Sequence, residues 1–385
     1  MSTTIFRQNV QKILQEEELI LMKTFLKRFW VFIPLVLAAA MYFLLPYFPG
    51  FTEYVCSRGL FKIVTYPLGF VTSLIPVSLT ELAVVLALPA LVFVIVLLAV
   101  KLRKSESRKK TLLSAGKITA GTLSIACLMY MICHGANFYR YPLEKSMELD
   151  TSKKDVQQLY TVCVELAKGA AEARAELGTP DDEEYVFSES IFTELTRTGS
   201  GYKELYGEYG FLRCAAFRQK PVMLSEPWSY TMIVGMYFPF FAECNVNTAQ
   251  PDYAIPFTAA HESAHSRGIA LENECNFLAF LSCINSEYPE FRYSGYMETL
   301  KYCSNELLAA DRELWADFRQ YMTNGMFVDF AAMNEYIDGH RSKVSEVSTE
   351  VNNNFISSQG VPEGTLSYSR MTELVLAYYQ KAGII

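Results

Sequence analysis

The chain has 385 residues, 51% of them hydrophobic, and a formal net charge of −7. Its mean hydropathy of +0.13 is high for a wholly water-soluble protein and implies a membrane portion. Charge is divided along the chain: residues 1–134 carry 14 Lys/Arg against 6 Asp/Glu, and residues 135–385 carry 20 against 35, an acidic balance that excludes nucleic acid as a partner.

Three apolar stretches are long enough to span a bilayer: Trp30 to Phe48, Leu82 to Val100, and the weaker Leu112 to Cys133, which contains Lys117. The segment 1–29 carries Arg7, Lys12, Lys23, Lys27 and Arg28, and the loop 101–111 carries Lys101, Arg103, Lys104, Arg108, Lys109 and Lys110. The loop 49–81 has only Arg58 and Lys62. The positive-inside rule therefore predicts a cytoplasmic N-terminal segment (1–29), a membrane domain (30–134) and an extracytoplasmic domain (135–385). The basic half suits contact with anionic membrane lipid. Nine cysteines with no CxxC pair do not form a disulfide framework, although bridges in the external domain stay open.

The external domain reads as mostly helical α+β. An amphipathic helix is predicted from Thr151 to Leu177, capped by Thr151 or Ser152, then a break over 178–184 and short helices over 186–198 and 202–218. Residues 229–247 are rich in β-branched and aromatic side chains and predict one or two strands broken at Pro239, which suits an edge strand. Further helices are predicted over Pro256 to Ser266, Leu271 to Asn285, in pieces from Pro289 to Thr323, over 329–355 with Gly339 as a weak point, and over 367–382.

The most informative stretch is His261-Glu262-Ser263-Ala264-His265, which holds two of the chain's four histidines. Positions i and i+4 share a helix face, so both imidazoles can reach one ion, and the pattern is that of an HExxH zinc hydrolase. Glu262 is then the general base toward a water that the ion polarises. Zinc needs a third protein ligand. Glu272 and Glu274, just past the turn at Gly268, are both available, and whichever is not the ligand lies behind it. Asn276 is placed to orient a histidine, Cys275 reads as core, and Leu271 stands where an HExxHxxGxxH site has its last histidine. Glu243 and Tyr237 are candidates to line the cleft. Tyr237, Arg267, Tyr293 and Tyr368 are possible oxyanion donors. His134 reads as interfacial and His340 as solvated.

Four stretches together resemble a known family: Gly235 to Asn247, Ile255 to Ala270, Glu272 to Phe277, and Tyr293-Ser-Gly-Tyr296. They look like the bacterial membrane family known as domain of unknown function 3810. The three spans and the segment Ser367-Tyr-Ser-Arg-Met371 fit the same family, and the resemblance covers nearly the whole chain. It implies a zincin-like metallopeptidase fold. Cys244 and Cys275 depart from the alanines expected there. A weaker similarity, of Glu272-x-x-Cys-Asn276 to the Glu-x-x-Ala-Asn or Glu-x-x-Ala-Asp stretch of glutamate-ligand zinc peptidases, slightly favours Glu272 and leaves Glu274 open as the third ligand.

The expected function is a multi-pass protein of the bacterial cell membrane acting as a zinc metallopeptidase, with one zinc ion and envelope peptides or proteins as substrates. Two alternatives are a non-catalytic zinc-binding envelope sensor or scaffold, and a zinc amidase acting on the cell wall. The motif lies about 125 residues past the third span, which favours cleavage at or above the membrane surface over cleavage inside it. No oligomeric state is legible.

Overall fold

A computed structural model describes residues 29–152, 155–214, 217–359 and 370–385. Almost all of the predicted N-terminal segment 1–29, and Tyr368, lie outside the described residues. The described chain forms two compact units: one holds the residues up to Leu44 with Leu88–Met131, the other Leu45–Ala87 with Ile132–Ile385.

Three helices are long and apolar enough to cross a membrane: Trp30–Tyr47, Leu79–Lys104 and Arg108–Cys133. The first is α1 (Ile33–Leu44) flanked by short 3-10 turns. The segment that follows, expected as a loop, is helical. A π-helical run over Thr52–Leu60 leads into α2 (Phe61–Ser73), and this segment folds with the chain after residue 132. The π-turn places Glu53 and Arg58 five residues apart on one side, bonded at 2.6 Å. The second and third spans are α3 (Leu79–Lys104) and α4 (Arg108–Cys133).

The second unit is built around α5 (Val156–Leu177), whose cap is Asp155 in a capping box with Gln158 rather than Thr151 or Ser152. The expected helix over 186–198 shortens to Ile191–Arg197, and that over 202–218 to Ser200–Leu205 with a 3-10 turn at Gly210–Leu212. A three-stranded sheet follows: β1 (Gln219–Pro221), β2 (Gly235–Phe238) and β3 (Glu243–Val246), in the order β1-β3-β2. β3 pairs parallel with β1 and antiparallel with β2, with Tyr237 opposite Cys244. Pro239 lies in the turn between β2 and β3, where its missing N–H removes no ladder bond.

The HExxH segment forms α6 (Ile255–His265), followed by α7 (Glu272–Ile284) and α8 (Pro289–Ala310). Phe277, Phe280, Phe291, Leu166 and Leu300 from α5, α7 and α8 are completely or almost completely buried in one core, and each such side chain contributes about 1.5–3 kcal/mol. The polar helix expected over 329–355 divides into α9 (Asn324–His340) and α10 (Lys343–Ser358). The break falls just past Gly339, because Ser342 and Ser345 form a capping box that starts a new helix. The last helix is α11 (Arg370–Lys381). All nine cysteines are free thiols.

Candidate metal centre

α6 lies against the sheet: the Cys244 thiol donates to the Glu262 carbonyl at 3.2 Å, and Val246 of β3 packs with Ile255 and Ala259. His261 and His265 occupy successive turns of one face, their rings 5.0 Å apart. The turn after the helix closes at Gly268, whose φ of +82° is the left-handed conformation that glycine adopts without strain. That turn brings the next carbonyl back over the helix. Ile269 O bonds His265 Nδ1 at 2.9 Å, while Asn276 Oδ1 on α7 bonds His261 Nδ1 at 2.7 Å. Each ring is thereby oriented through Nδ1, leaving Nε2 to point the other way.

Both Nε2 atoms face Glu272: Oε2 is 3.1 Å from His261 and Oε1 is 3.7 Å from His265. Donors around one tetrahedral zinc at ordinary bond lengths stand roughly 3.3 Å apart, so this set fits a single ion. His261, His265 and Cys275 also offer donor atoms within 4.8 Å of one another. The Cys275 thiol, however, meets His265 at Nδ1, 3.3 Å away, on the side already engaged by Ile269 O. Glu272 is the group that faces both Nε2 atoms, and Cys275 lies behind the ligand face. Glu274 is turned elsewhere and accepts from Leu143 N–H at 2.6 Å.

The electrostatics are those of a cation site. Burial works against ionising Glu272, but the hydrogen bond from His261 and the charges of both site histidines outweigh it and hold its pKa down to about 2. Burial works against protonating His261, yet Glu272 outweighs this and raises it to about 9. His265 is lowered by burial and by its neighbour His261. Glu262 is pushed up to about 8, chiefly by burial, with Glu272 adding and His261 and the Tyr237 N–H opposing. Its Oε2 is buried and finds no hydrogen-bond partner among the described residues.

β2 forms the wall opposite Glu262. Asn247 N–H donates to Val234 O at 2.9 Å, which makes 236/245 and 238/243 the bonded pairs and turns the N–H and C=O of Gly235 and Tyr237 away from β3. A Cβ on Gly235 would stand 2.4 Å from Glu262 Oε1, so only glycine lets the strand approach the carboxylate this closely.

The other candidates are dispersed. The Tyr237 ring stacks on His265 at 6.3 Å. Its hydroxyl is buried, which raises its pKa, and it has no hydrogen-bond partner among the described residues. Arg267 donates to Ser263 O at 2.7 Å and covers the Tyr202 ring. Tyr293 bonds Asp329 in the helical core. Glu243 does not line the cleft. It accepts from Leu79 N–H and Thr80 N–H at 3.3 and 2.9 Å, capping the start of α3, and pairs with the buried Lys220. His340 is not solvated but buried, between Tyr336 O at 2.7 Å and Glu226 at 3.1 Å.

His134 is the residue that sequence reasoning set aside. It is the first residue after the third span, and its ring stands 5.7 Å from that of His265 and 6.1 Å from that of Tyr237. Burial and His265 depress its pKa to about 3 against the pull of Glu272, keeping the imidazole neutral. No motif spacing signals it, because it comes from another part of the chain. The turn is tied down from the same direction: Arg140 donates to Gly268 O at 2.6 Å and to both oxygens of the buried Glu53.

The family described as "Protein of unknown function (DUF3810)" matches residues 56–376, and the chain belongs to it. No curated protein and no solved structure matches the chain.

Proposed function

We infer that this DUF3810 member is a membrane-anchored zinc hydrolase of zincin type that cleaves peptide bonds outside the cytoplasm. The observation that carries this reading is the convergence of His261 Nε2, His265 Nε2 and Glu272 beside a buried carboxylate, Glu262, one oxygen of which has no partner among the described residues. A zinc ion held by those three residues supplies Lewis acidity to a water and to the scissile carbonyl. Glu262 takes a proton from the attacking water and delivers it to the leaving nitrogen. The C–N bond breaks, the water's OH stays on the carbonyl carbon, and an acid and an amine result. The neutral imidazole of His134, whose ring stands 5.7 Å from that of His265, is the candidate donor for the developing oxyanion. The outward C=O groups of Gly235 and Tyr237 and the Gly235 N–H suit an extended peptide, which favours peptide over sugar substrates. A purely structural zinc site would have no use for Glu262, so the sensor reading is the weaker one.

Topology supports the same assignment. Positive charge flanks the cytoplasmic ends, and Leu45–Ala87 folds with the chain after residue 132, as three crossings require. The test uses the full chain purified in detergent. Wild type and Glu262→Gln are each expected to carry one zinc, and the variant to hydrolyse a randomised fluorogenic peptide about 10²–10⁴-fold more slowly. Wild type without stoichiometric metal, or Glu262→Gln with an unchanged rate, overturns the reading.

A further inference from the structure

One candidate membrane span ends beside the candidate site, and another begins against the sheet that flanks it. The apolar part of α4, Leu112 to Cys133, is about 33 Å long, close to the roughly 30 Å of bilayer hydrocarbon. Arg108, Lys109 and Lys110 anchor its start among headgroups, so Cys133 falls at the opposite interface. His134 is the next residue, and its ring lies 5.7 Å from that of His265. Chain geometry then puts the His265 ring within about 13 Å of the last span residue. The second span repeats the arrangement. Its basic end is Lys101, Arg103 and Lys104, and its other end, Leu79–Thr80, is capped by Glu243 at the start of β3. β3 carries β2, the strand that faces Glu262.

The surface beside that span start is apolar. Leu74 (69% exposed), Ile75 and Val77 precede α3, and Met223 (79% exposed) and Leu224 are pinned to it, their N–H groups bonding Glu81 at 2.9 and 2.7 Å. Such side chains are stable in water only at a cost, and beside a span start they have the bilayer interface to enter.

The geometry points to a substrate that is itself held in the membrane: a lipid-anchored or membrane-spanning polypeptide cut within a few residues of the bilayer surface. This rests on the hydrolase reading above and adds the substrate class. An extended chain covers about 3.3 Å per residue, so a distance of about 13 Å corresponds to roughly four residues between bilayer and scissile bond.

The test reconstitutes the zinc-loaded full chain into phosphatidylethanolamine–phosphatidylglycerol vesicles. The probe is a 30-residue peptide mixture (~100 Å extended) of randomised sequence carrying a palmitoyl chain at one end, with cleavage positions mapped by mass spectrometry. Cuts are expected to concentrate within the eight or so residues nearest the lipid, while the same peptides without the acyl chain are cut without positional bias. Cuts spread evenly along the acylated peptide overturn the proposal and leave the hydrolase reading standing. No cut in either peptide overturns both. A second readout is independent of activity: Met223→Trp, in a chain whose own tryptophans are replaced by Phe, is expected to lose at least half its fluorescence to lipids brominated near the headgroup. Fluorescence unchanged by those lipids overturns the proposal.

Discussion

Two buried charge clusters in the same unit are organised in opposite ways. In the helical core, Asp329 accepts from Tyr185 N–H at 2.8 Å, from Tyr293 OH and from Arg174, whose guanidinium also donates to Glu183 O at 2.6 Å. Both carboxylate oxygens are satisfied, although Arg174 Nε has no partner among the described residues, and the cluster ties α5, α8 and α9 together. At the HExxH helix, like and unlike charges crowd one pole. Glu272 is shared between two imidazoles, and Glu262 keeps an oxygen without a partner among the described residues. A buried carboxylate with both oxygens bonded holds a fold together; a buried carboxylate left open at one atom is what a reacting group needs.

The comparison can be broken at its closed end first. Asp329→Ala leaves Arg174 buried without its carboxylate and is expected to cost about 3–5 kcal/mol in denaturant unfolding, while the folded fraction still binds zinc stoichiometrically. Loss of zinc from folded protein would show that the two clusters are not independent. Glu274 sharpens the contrast with Glu272. Burial raises its pKa to about 7, against the Leu143 N–H bond and Arg140. A raised carboxyl favours the folded state fully below its ordinary value near 4.5, and that contribution is lost as pH climbs through 7. Glu274→Gln is therefore expected to gain stability relative to wild type between pH 5 and pH 8, by about 3 kcal/mol at most, without losing metal. An equal shift at both pH values would sink this assignment.

At the open end, Gly235→Ala drives a methyl into Glu262 and is expected to cost about 1–3 kcal/mol and to slow hydrolysis with zinc retained; wild-type activity would mean the strand can withdraw. The mildest change, Asn276→Ala, frees the His261 ring and is expected to weaken zinc binding about 10–100-fold, measured by competition with a chelator. Unaltered affinity would remove Asn276 from the site.

Much of this was legible in the chain. The i, i+4 histidines, the intervening glutamate, the helix end at Gly268 and the three apolar spans all follow from local periodicity and composition. The choice between Glu272 and Glu274 did not. Two residues on a helix differ by about 200°, so they face opposite ways. Which one turns inward depends on how the left-handed turn at Gly268 sets α7 against α6. Glu243 was misjudged for a related reason, since its partners at Leu79 and Thr80 are remote in sequence.

By itself the sequence determined the elements and their chemistry: a basic, apolar N-terminal third, an acidic helical remainder, and a pair of imidazoles four residues apart. Helix and span formation depend on neighbours along the chain, and so do the spacing rules that reveal them. Tertiary structure alone decided that His134, Arg140 and Glu53 gather at the end of the HExxH helix, and that Glu272 rather than Glu274 faces both imidazoles. Those relations join segments with no common period, and only the packing of the core against the sheet brings them within bonding distance.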